Sequence, residues 1–83
     1  MAKRAKSFRA YKSVWEEKEP GTIFSWKTKG QTLHADKVIA TTFATAMKND
    51  STVRLAEGPC MVEVSQEQWA HLRNFATYVS WVQ

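Results

Sequence analysis

Between Asp36 and Asp50 the large apolar residues return at every fourth position: Ile39, Phe43 and Met47. Ala40 and Ala44 lie beside them, with Val38 and Ala46 flanking. Only a helix gathers residues at that spacing onto one side, so the stretch DKVIATTFATAMKND is read as a buried helix of about three turns. Asp36 stands where a helix cap belongs, and Asn49–Asp50–Ser51 stops the pattern. The alanines permit close approach to a covering surface, and a sheet is the natural one.

The sheet has to come from the short runs on either side. TIFSWKTKGQTLH, residues 22–34, reads as a β-hairpin with Lys29–Gly30 at its turn. TVRLAEGPCMVEV, residues 52–64, reads as a second hairpin bent at Gly58–Pro59, because Val53/Leu55 and Val62/Val64 alternate with polar neighbours. Residues 8–19 suit two structures. Phe8, Tyr11 and Trp15 fall on one helical face, and a strand through Tyr11–Trp15 fits as well; Pro20–Gly21 ends either.

Ser65 with Gln68 three residues on is a capping box and opens a last helix. Trp69, Leu72, Phe75, Ala76, Val79 and Val82 form its apolar face, which carries that helix to the end of the chain. Tyr78 and Trp81 fall outside this arc. A single sheet cannot cover a helix that is aromatic on both sides.

The order of elements predicts an α+β fold: a small antiparallel sheet of about four strands in two hairpins, packed by two helices on one face, with an N-terminal element of either type. The expected core is Ile23 or Phe24, Ile39, Phe43, Met47, Val53, Leu55, Val62, Val64, Leu72, Phe75 and Val79. At 83 residues there is one domain, residues 8–83, preceded by a basic arm, residues 1–7. Such a chain has a stability of roughly 4–8 kcal/mol.

Charge separates the arm from the body. Lys3, Arg4, Lys6, Arg9 and Lys12 give residues 1–12 a charge of +5, while seven basic and eight acidic residues leave residues 13–83 at −1. The overall +4 therefore does not describe a basic domain.

No residue pattern here carries chemistry. The single cysteine, Cys60, follows a proline in an expected turn with no base beside it, and His34 and His71 lie far from it in sequence. There is no zinc spacing, phosphate loop, dinucleotide fingerprint or HExxH. No cofactor and no metal are expected. No apolar run reaches membrane-spanning length, and the basic start lacks the apolar stretch of a signal peptide, so a cytoplasmic location is expected.

The expectation is a non-enzymatic binding protein. In the first reading it is an inhibitor or adaptor that takes a protein partner, or a second copy, through Tyr78 and Trp81, since Trp and Tyr concentrate at binding hot spots. In the alternative it is a nucleic-acid-associated regulator: Lys3, Arg4, Lys6 and Arg9 contact phosphates, and Lys27 and Lys29 add to the surface. The near-neutral body weighs against the alternative. In size and Trp content the chain is of a style common among phage and mobile-element products.

Overall fold

A computed structural model describes residues 8–22 and 24–82. Six elements follow one another: β1 (Phe8–Lys18), β2 (Trp26–His34), α1 (Lys37–Met47), β3 (Val53–Val64), α2 (Gln66–Phe75) and β4 (Thr77–Trp81). The strands form one antiparallel sheet in the order β3-β1-β2-β4. The class, the four strands and the two helices are those expected from the sequence, but several elements are made from different residues.

The N-terminal segment is a strand. Both of its edges are paired, with Tyr11 opposite His34 on β2 and Met61 on β3. A helix there would leave the sheet without its central strand. Alternation turns Tyr11, Ser13 and Trp15 to one face and Ala10, Lys12 and Val14 to the other.

Both expected hairpin bends are bulges within single strands. Trp15 pairs with Gly30 and Glu16 with Thr28, so Lys29 is the extra residue on β2. Gly30 has φ 145°, and a Cβ there would collide with the Ser80 carbonyl oxygen. On β3 the pairing skips between Lys12–Cys60 and Val14–Glu57, which places Gly58–Pro59 opposite Ser13 alone. Gly58 has φ 94° and lies against the Lys12 carbonyl oxygen. In both cases glycine serves a close backbone approach rather than a reversal of the chain. Among the described residues, the one hairpin joins β1 to β2, with Gly21 at φ 80° and Glu19 N–H donating to the Ser25 carbonyl at 2.9 Å.

α1 forms as its periodicity dictates. The Asp36 carboxylate accepts from Ile39 N–H at 2.9 Å, and Ala40 and Ala44 are buried against the sheet. Phe43 meets the Trp15 ring edge-on at 5.8 Å and the His34 ring at 5.0 Å. α2 begins at its Ser65 cap, whose Oγ accepts from Gln68 N–H at 3.1 Å, but it ends at Phe75. Ala76 turns the chain with φ 68° while its N–H closes the helix on Leu72 O at 2.7 Å. The expected helix to residue 82 is thus cut short. Thr77, Tyr78, Val79, Trp81 and Val82 are β-branched or aromatic, and the open side of β2 gives them a strand to pair with.

The helices lie on opposite faces, not on one. α1 covers the face of Trp15 and His34. α2 is on the other face, where His71 stands edge-on to Tyr78 at 5.2 Å. The largest fully buried side chains are Trp15, Leu72, His34, Thr32 and Ser13. Three expected core residues are exposed: Phe24 (85%), Phe75 (69%) and Val79 (41%). Ile23 lies outside the described residues.

Candidate protein-binding edge

The two outer strands present different edges. β3 carries Arg54, Glu57 and Glu63, contains Pro59, and is kinked by two register shifts. Charge, proline and bulges are the devices that keep an edge from pairing with another chain. β4, with residues TYVSW, has none of them, and residues 74–83 hold no Lys, Arg, Asp or Glu.

The hydrogen-bond phase of β4 follows from its two ends. Ala35 N–H donates to Ala76 O at 2.9 Å, and Val82 N–H donates to Lys29 O at 2.7 Å. Alternation along the ladder then turns the N–H and C=O of Tyr78 and Ser80 inward to β2 and those of Thr77, Val79 and Trp81 outward. No strand pairs with that outer side among the described residues.

Apolar side chains surround this edge. α1 packs mainly on β3, β1 and β2 and leaves a gap over β4 on that face. The gap is an apolar groove of ≈ 370 Å³ lined by Val38, Ile39, Thr42, Phe43, Ala46 and Thr77. Of the seven exposed large apolar residues among those described, five (Val38, Phe75, Tyr78, Val79 and Val82) are on β4 or beside it. Scattered apolar residues are ordinary on a surface, but a cluster beside an open strand edge is not.

Beneath the groove runs a buried polar chain. Trp15 Nε1–H donates to Thr32 Oγ1 at 2.9 Å. Thr32 Oγ1 is 2.8 Å from His34 Nε2, and His34 Nδ1 is 3.2 Å from Thr77 Oγ1. Burial holds the His34 pKa below its ordinary 6.5. The imidazole is then neutral at pH 7 and bridges one hydroxyl to the other, tying β4 to the core. Ser13 Oγ is buried nearby with no hydrogen-bond partner among the described residues.

Tyr78 and Trp81 are both on β4, but on opposite faces. Tyr78 stands on the α2 side against His71. Trp81 stands on the α1 side, opposite Gly30, with Lys29 Nζ 4.9 Å from its ring centre. They therefore do not form one helical patch, and the edge between them is what they share. In the sequence Val79 and Val82 read as part of a buried helix face, and Thr77 was not singled out; the overlooked signal is the strand propensity of all three in an uncharged run.

Among the described residues, the candidate cations Arg9, Lys27 and Lys29 do not form a basic surface. Lys27 and Lys29 both reach Glu17, at 3.8 and 3.4 Å. Arg9 is on β1 with Nη1 3.9 Å from Met61 Sδ. Lys3, Arg4 and Lys6 lie outside the described residues. Arg54 pairs with Glu16 at 2.8 Å and stacks on Trp26 at 4.2 Å, which occupies a ring that could otherwise stack on a base. Cys60 is exposed, and the described residues contain no cluster of three or more His, Cys, Asp or Glu that could hold a metal ion. Among them, no helix is long and apolar enough to cross a membrane. No family model, curated protein or solved structure matches the chain.

Proposed function

We propose that this chain is a non-enzymatic protein-interaction domain, an inhibitor or adaptor, that docks its partner along β4. The observation that carries the reading is the open, uncharged β4 edge with exposed apolar side chains on both of its flanks. An edge of this kind binds an added strand through its main chain, and the flanking side chains supply specificity. The single Cys60, with no second cysteine in the chain, supports a reducing, cytoplasmic setting. Lys27 and Lys29 direct their charge at Glu17, which lends the nucleic-acid reading no support.

The test sets the two readings side by side on the full chain. Tagged wild-type and Val79→Lys chains are compared in affinity capture, and both are titrated with labelled single- and double-stranded oligonucleotides at low salt. Protein capture that Val79→Lys removes is expected, without oligonucleotide binding in the micromolar range. Oligonucleotide binding at ~10⁻⁶ M that weakens with salt and survives Val79→Lys overturns the reading.

A further inference from the structure

We propose that the partner of the β4 edge is a second copy of this chain, joined antiparallel about a two-fold axis through Val79. The inference rests on the protein-binding reading and names its occupant.

The β4 edge is self-complementary. The outward backbone groups belong to Thr77, Val79 and Trp81, a set centred on Val79. A second β4 laid antiparallel about that centre places Thr77 opposite the partner's Trp81, Val79 opposite the partner's Val79, and Trp81 opposite the partner's Thr77. Every outward N–H then meets an outward C=O, forming about six backbone hydrogen bonds with no slip in register. A shift by one residue would oppose inward-facing groups to outward-facing ones and lose them.

The side chains agree with this pairing. On the α1 side, Thr77 faces the large Trp81 ring and the two Val79 side chains meet at the axis. On the α2 side, Tyr78 faces Ser80, small against large, and the exposed Val82 extends toward the exposed Phe75 of the other copy. Because residues 74–83 are uncharged, the two-fold brings no like charges together along the strand. Lys29, the cation nearest Trp81, has Glu17 as its counterion. The other edge cannot do this: β3 would set Arg54, Glu57, Pro59 and Glu63 against a second chain. The product is one continuous sheet of twice the width, closed by an isologous interface.

Sedimentation equilibrium of the full chain from micromolar to about 1 mM is the first measurement. The expected result is a concentration-dependent dimer of the 9.5 kDa chain that Val79→Lys converts to a monomer with unchanged circular dichroism. A monomer throughout overturns the proposal, as does a dimer that a folded Val79→Lys leaves intact. A second measurement covers the case in which Val79→Lys misfolds. In a Cys60→Ser background, Val79→Cys should form a covalent dimer on mild oxidation and Thr45→Cys, on exposed α1 surface, should not; failure of Val79→Cys to cross-link overturns the two-fold. A monomeric chain that still captures a different protein through Val79 overturns the dimer and leaves the protein-binding reading standing.

Discussion

His34 Nδ1 on β2 lies 3.2 Å from Thr77 Oγ1, the first residue of β4. Through this contact a fully buried imidazole fixes the start of the strand that carries the open edge. The imidazole has Thr32 on its other nitrogen and the Phe43 ring against its side, with no carboxylate hydrogen-bonded to it among the described residues to favour a proton.

That setting makes stability depend on pH. Burial lowers the His34 pKa in the folded chain below its ordinary 6.5, so the unfolded chain takes up a proton first. The contribution is present in full above about pH 6.5 and is lost as pH falls toward the folded-state value. Urea melts at pH 7.5 and 5.5 should show lower stability at the acid end, and His34→Gln should flatten that difference. Asp50 also titrates below its ordinary value through hydrogen bonds from Thr52, but its window lies below 3.8 and does not overlap.

Trp15 is the largest buried side chain, and it both packs and donates. Trp15→Phe keeps the ring against Phe43 but removes the donor to Thr32, and a cost of about 1–2 kcal/mol is expected. Trp15→Ala leaves a cavity under α1 and should cost about 3–5 kcal/mol, a large part of the stability of a chain of this size. Denaturant midpoints for the two variants, compared with the native chain, measure the split.

Ser13 is expected to behave in the opposite way. Its Oγ is buried without a partner among the described residues, opposite Thr32, which already serves Trp15 and His34. Ser13→Ala removes an unsatisfied hydroxyl and should be neutral or stabilising by up to about 1 kcal/mol in the same melts. A loss of more than that would mean the hydroxyl is satisfied in solution.

Gly30 separates two indoles. Trp15 is its partner on β1 and Trp81 its partner on β4, and an added Cβ would come within 2.9 Å of Trp81 Cε3 as well as striking the Ser80 carbonyl. Gly30→Ala should therefore cost at least about 1–3 kcal/mol through its positive φ. Its damage should concentrate at β4, read as faster amide exchange at Tyr78 and Ser80 than elsewhere in the sheet.

How much of this was legible differs by element. The helix over residues 37–47 was written into the spacing of Ile39, Phe43 and Met47, and both helix starts were written into Asp36 and Ser65. These signals are local, because a helix satisfies its own backbone and needs only one face covered. The aromatic excess near the end of the sequence, with Tyr78 and Trp81 outside the apolar stripe, was also plain as more apolar surface than one helix face can bury.

Pairing decided the rest. Whether residues 8–18 are helix or strand depends on β2 and β3, which pair with its two edges, β3 from far along the chain. Gly30 and Gly58 look like turns to a local reading; only the register shows that each admits a crossing backbone. The residues after Ala76 fit a helical stripe at Val79 and Val82, yet the unpaired side of β2 offers their N–H and C=O groups a ladder. That change of element takes Tyr78 and Trp81 off a common surface, exposes Phe75 and Val79, and turns a helix face into a sheet edge. The sequence by itself determined one helix, two caps and a bare apolar segment near its end. The tertiary structure determined that this segment is a strand with its outer backbone unpaired, because strand partners are chosen by the whole sheet rather than by neighbours along the chain.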